Sequence, residues 1–95
     1  MAKEVFREEM DELVRGGALA VDVREGDDDG QATLPLHVHV PLSRIAELAG
    51  RVERGRPMIF FCRSGVLSFH AAEIASHWTE EPVYYLSGGL LSADA

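Results

Sequence analysis

Cys62 is the single cysteine of this 95-residue chain, and its surroundings are where residue types and order could do chemistry. It follows the apolar run Met58-Ile59-Phe60-Phe61. It precedes Arg63-Ser64-Gly65-Val66-Leu67-Ser68, where helical apolar spacing begins. A strand that ends in a short polar loop and re-enters as a helix can turn several backbone N–H groups toward one point. That makes an anion nest at a helix N-terminus. Sulfur held there meets the positive end of the helix dipole, and Arg63 adds a full charge nearby. Both favour thiolate over thiol, and thiolate is the nucleophile. Free cysteine is more often inert packing, but packing needs no polar, glycine-containing loop behind it.

Other candidate ligands are weaker. His37 and His39 fall two apart in His37-Val38-His39-Val40 and would share one strand face. Zinc needs a third ligand, and no His/Cys/Asp cluster lies beside them, so a solvated face or a pocket wall is expected. Asp27-Asp28-Asp29-Gly30 lacks the alternating ligands of a calcium loop, and position twelve counted from Asp27 is Val38 rather than Glu. A charged, solvated turn is expected there. One cysteine also excludes an internal disulfide and a multi-cysteine zinc site. No metal and no cofactor are expected.

Nine basic residues stand against sixteen acidic ones, for a net charge of −7. Phosphate backbones are bound by concentrated Lys and Arg, so neither nucleic acid nor an anionic membrane is an expected partner. A local basic pocket could still take a small anion. The first residues, Met1-Ala2-Lys3-Glu4-Val5, lack the apolar run of a signal peptide. No stretch approaches the roughly 18–20 apolar residues of a membrane span. With one thiol, the pattern suits a reducing compartment, and a cytoplasmic protein is expected. Hydrophobic residues are 46% of the chain, enough for one core, so residues 1–95 read as a single domain, expected to be a monomer.

Helices and short apolar strands alternate around the loop. Phe6, Met10, Leu13 and Val14 recur at helical spacing over 6–15, and Gly16-Gly17 stops that helix. Ala18 to Val23 reads as a buried strand, and His37 to Val40 as a short one ended by Pro41. Ser43 suits the N-cap of a helix running to about Val52, with Ile45, Leu48, Ala49 and Val52 as its apolar stripe. Met58 to Phe61 reads as a central strand buried on both faces. A helix from Val66 or Leu67 passes Phe69, Ala71, Ala72, Ile74, Ala75 and Trp78. Val83 to Leu86 is a last strand before Ser87-Gly88-Gly89. This order predicts an α/β domain with a mostly parallel sheet. Ligands of such sheets bind beyond the strands' carboxyl ends, where Cys62 stands.

Several segments in this order resemble the rhodanese-like family across nearly the whole chain. They are Val21-Asp22-Val23-Arg24-Glu25, Val40-Pro41-Leu42, Phe61-Cys62-Arg63-Ser64-Gly65, Ala71-Ala72 and Leu86-Ser87-Gly88-Gly89-Leu90. The resemblance implies a three-layer α/β/α fold with a five-stranded parallel sheet. It implies a sulfurtransferase that works through a persulfide on Cys62 without a cofactor. Sulfur would come from thiosulfate or a protein persulfide and leave to a thiol or, in assays, cyanide. The backbone from Arg63 through Ser64, Gly65, Val66 and Leu67 to Ser68 would hold the persulfide. Asp22 and Arg24 would form a buried pair supporting that loop.

The chain departs from the family at Leu67, where thiosulfate-active members commonly carry Arg. An Arg–oxyanion hydrogen bond is worth about 1.5–3 kcal/mol, so its loss would weaken thiosulfate use about 10- to 200-fold. The stretch from Ala32 to His37 matches only at Pro35 and the preceding Leu34, and Ser92-Ala93 replaces an aromatic. These differences keep open a sulfur-relay, binding or regulatory module with little thiosulfate activity. A cysteine phosphatase would need Arg six positions after the cysteine, and that residue is Ser68.

Overall fold

Met58–Phe61 makes the middle strand because all four of its side chains are apolar and can be covered on both faces. The computed structural model describes residues 2–25, 37–50 and 56–88. Their elements run β1 (Ala2–Val5), α1 (Arg7–Arg15), β2 (Leu19–Asp22), β3 (His37–His39), η1 (Leu42–Gly50), β4 (Met58–Phe61), α2 (Val66–Ala75) and β5 (Val83–Leu86). The five strands form one sheet in the order β1-β5-β4-β2-β3, and every pairing is parallel. The expected α/β fold is therefore present, with the sheet wholly parallel.

Alternation along the strands sends two sets of side chains to opposite faces. Val21, Met58, Phe60 and Val83 pack on one face against Ala71, Ala72 and Ala75 of α2 and Ile45 of η1. Ala20, Ile59, Phe61, Val5 and Leu86 pack on the other against Met10, with Leu13 and Val14 of α1 at the margin. Helical layers thus cover both faces. The three alanines of α2 are fully buried, and their small side chains let the helix lie close to β4. Phe60 and Phe61 are fully buried too, each contributing about 1.5–3 kcal/mol by leaving water.

α1 begins one residue later than its apolar spacing suggests. Phe6 stands at the N-cap, and its N–H donates to the Glu9 carboxylate at 3.2 Å. Glu8 and Glu9 in its first turn and Arg15 in its last suit the helix dipole. The segment after Pro41 is a run of 3-10 turns rather than an α-helix. Ser43 does not cap by accepting a bond. Its N–H and hydroxyl both donate to the Glu25 carboxylate, at 2.8 and 2.9 Å. Ile45 of the expected stripe is buried; Leu48, Ala49 and Val52 lie outside the described residues and side chains. So do the acidic turn from 26 to 30, the Ala32–Leu36 stretch, Gly55 and everything from Gly89 onward. Among the described residues, no helix is long and apolar enough to cross a membrane.

Candidate active site

The carboxyl ends of β2 and β4 bring the candidate residues together. Asp22 is in register with Phe61, the residue before Cys62. One step further, the Val23 N–H donates to the Phe61 carbonyl at 3.0 Å, extending the ladder to the edge of the loop.

Cys62 is 1% exposed. The Gly65 N–H donates to its Sγ at 3.1 Å, and the Ser68 N–H does so at 3.4 Å. The thiol lies 3.5 Å from the Ser68 Oγ, and the Ser68 hydroxyl donates in turn to the Gly65 carbonyl at 3.1 Å. Ser68 is fully buried, so its hydroxyl ties the loop to the first turn of α2. Gly65 is the N-cap of α2 and has φ of 97°. A Cβ in that left-handed region costs about 1–2 kcal/mol, so glycine is what lets the chain turn its N–H back onto the sulfur. N–H groups aimed at one atom, with a helix N-terminus behind them, stabilise negative charge arriving there. An anionic sulfur at Cys62 fits that environment.

Arg63, Ser64 and Val66 are exposed on the loop's outer side, while Gly65 and Leu67 are half-buried. Leu67 packs against the core cluster that contains Cys62. Asp22 and Arg24 form the buried pair that the resemblance implies. The Arg24 guanidinium meets the Asp22 carboxylate at 2.7 to 3.1 Å through Nη2 and Nε, and the Arg24 N–H adds a bond at 3.0 Å. His39 is half-buried, and its Nε2 donates to the Arg24 carbonyl at 2.7 Å, so one ring nitrogen is used in bracing this corner. Among the described residues, no three His, Cys, Asp or Glu side chains converge as metal ligands would.

A depression of about 290 Å³ opens beside the loop, lined by Ser64, Gly65 and Val66 together with Glu4 of β1, Phe69 and His70 of α2, and Tyr85 of β5. Sequence reasoning places none of Glu4, His70 or Tyr85 at the site. It places Phe69 on the packed side of a helix, yet Phe69 is 41% exposed. A second opening of about 220 Å³, bordered by Val38, His39, Pro41, Arg44 and Glu47, includes none of the loop residues.

No family model and no curated protein matches the chain, whereas solved structures do. A rhodanese homolog of Thermus thermophilus is 32% identical, with a TM-score of 0.73, and the match covers 96% of this chain and 99% of that one. The chain belongs to the rhodanese-like family. Two further structures share the fold at lower identity. The reduced CoADR-RHD of Bacillus anthracis is 23% identical with a TM-score of 0.83; the match covers 93% of this rhodanese-like chain and 16% of that protein. A thiosulfate sulfurtransferase of Pseudomonas aeruginosa is 17% identical with a TM-score of 0.84; the match covers 99% of this chain and 18% of that one. The rhodanese-like chain thus spans about a sixth of the length of these two proteins.

Proposed function

We propose that this rhodanese-like protein is a sulfurtransferase that carries a sulfane sulfur as a persulfide on Cys62. The carrying observation is the pair of N–H groups, Gly65 at 3.1 Å and Ser68 at 3.4 Å, aimed at Sγ from the start of α2. In the first half-reaction, the Cys62 thiolate attacks the outer sulfur of thiosulfate. The sulfur–sulfur bond of the donor breaks, and sulfite leaves with the electron pair. In the second, a thiolate or cyanide attacks the outer sulfur of the persulfide, and Cys62 leaves as thiolate. The loop's role is to stabilise charge on sulfur in both halves. The Asp22–Arg24 pair, with Asp22 in register with Phe61, supports the strand end from which the loop springs.

A second reading is a relay or regulatory module that receives sulfur from a protein persulfide and uses thiosulfate poorly. One observation favours it: Leu67 brings no positive charge to meet a dianion. The protein is expected to act in the cytoplasm as a monomer under either reading.

Intact mass of the reduced protein, after thiosulfate or after a cysteine desulfurase with cysteine, tests both. A gain of one sulfur atom, reversed by a thiol reductant and absent in Cys62→Ser, is the expected result. Gain from thiosulfate supports the self-sufficient enzyme, and gain only from the desulfurase supports the relay. No gain from either source overturns sulfur transfer.

A further inference from the structure

The depression beside the loop has a composition that the sulfur chemistry alone does not require. Parallel pairing of β1 with β5 puts Glu4 in register with Tyr85, so both side chains leave the sheet on the same face. Phe69 of α2 meets Tyr85 edge to face, with ring centroids 5.3 Å apart, and its centroid lies 5.7 Å from that of the His70 ring. Val66, 60% exposed, and Ser64 complete the wall toward the loop. A carboxylate and two aromatic rings therefore stand together, and no Lys or Arg is among the described residues lining the space.

That composition suits neither thiosulfate nor any other dianion. Aromatic rings attract a cation through their negative faces, and a carboxylate adds direct attraction. We propose that this depression is the acceptor subsite, and that it selects small thiols bearing an ammonium group. The proposal rests on the sulfurtransferase reading of the same site. Gly65 ties the two together, since it lines the depression and donates its N–H to Sγ. The outer sulfur of a persulfide extends about 2 Å beyond Sγ. The acceptor thiol releases its proton to water and, as thiolate, attacks that outer sulfur. The Cys62 S–S bond breaks, its electron pair returns to Sγ as thiolate, and the acceptor leaves as R–S–S⁻. One sulfur atom moves between thiolates, and no further oxidant or reductant is needed.

Two measurements on the intact protein test this with cysteamine, which is cationic, and 3-mercaptopropionate, which is anionic. First, the reduced protein is titrated with each thiol while the ring resonances of Phe69 and Tyr85 are followed by NMR. Cysteamine is expected to saturate those shifts at a concentration about five- to tenfold lower, from an exposed cation–π contact plus an exposed ion pair. Second, Cys62 persulfide is mixed with each thiol at equal thiolate concentration, and single-turnover transfer is timed. The same preference is expected. Glu4→Gln, a change on an exposed edge strand, is expected to shrink both differences at least threefold. Phe69→Leu is the second variant, with far-UV circular dichroism to verify folding. Equal shifts by the two thiols, or a preference unchanged in Glu4→Gln, overturns the subsite. Selective binding in a protein that never acquires a persulfide supports the subsite and overturns the sulfurtransferase reading instead.

Discussion

The active-site loop depends on a few residues whose individual chemistry can be changed without rebuilding the fold. Gly65 turns its N–H onto Sγ, and Ser68 adds a second N–H while its hydroxyl ties back to the Gly65 carbonyl. Leu67, between them, contributes packing and no charge. Leu67→Arg is therefore expected to raise the rate of Cys62 loading by thiosulfate at least about tenfold, the lower bound for one charge-assisted hydrogen bond of about 1.5 kcal/mol. The side chain is half-buried, and an Arg stem can cover the same apolar surface while its head reaches solvent. Stopped-flow loading followed by mass analysis checks this, and an unchanged or slower rate would mean that Leu67 does not limit use of a dianion. At this scale much of the candidate site is readable in the sequence. Cysteine, glycine and serine at close spacing after an apolar run already describe a loop that folds onto a sulfur. Glu4, Phe69 and Tyr85 are not readable in the same way. They meet because β1 pairs with β5 and α2 lies over it, and that is a matter of tertiary pairing rather than local pattern.

Among the elements, those with strong internal pattern fall where their pattern puts them. Met58–Phe61 and Val83–Leu86 coincide with their apolar runs, and α2 begins at Val66. β1 escapes sequence reading. It is four residues long, carries Lys3 and Glu4 in its middle and buries only Val5, so neither alternation nor a hydrophobic run announces it. Its strand character comes from pairing with β5 at the sheet edge. η1 departs for a related reason. Pro41 and Leu42 bring the chain in from β3, and the Leu42 N–H donates to the Val23 carbonyl at 3.1 Å, while Glu25 takes both donors of Ser43. The start of this segment is thus held by the chain just after β2, where Glu25 lies eighteen residues earlier than Ser43. Glu25→Ala should therefore loosen η1 although Glu25 is not in it. Loss of two exposed hydrogen bonds to a carboxylate is expected to cost about 1 kcal/mol. For a chain of this size that lowers the thermal midpoint by about 4–8 °C. Glu25→Gln, which keeps one acceptor oxygen, should fall between. A midpoint unchanged within 1 °C or so of wild type would show that the brace adds nothing to stability.

At the scale of the whole molecule, the governing quantity is the charge of −7. The longest dimension is 33 Å. In about 0.01 M salt the screening length is about 30 Å, so a dianion approaching Cys62 meets nearly the whole surplus of carboxylates. In about 0.15 M salt the length is about 8 Å, and only charges around the loop matter, among them the exposed Arg63 and Glu4. Removing the distant repulsion with salt should speed thiosulfate loading of Cys62, by about two- to fivefold across that range. Transfer from the persulfide to a cationic aminothiol should slow over the same range, because the same carboxylates attract it. The opposite slopes separate whole-molecule charge from local contacts, since Leu67→Arg and Glu4→Gln act within one screening length and should displace the rate curves more than tilt them. Loading that slows as salt rises would show that positive charge at the loop, with Arg63 the nearest candidate, outweighs the acidic remainder even at long range. In that case the overall acidity would not be what limits thiosulfate, and Leu67 together with the burial of Cys62 would have to account for any weak use of it.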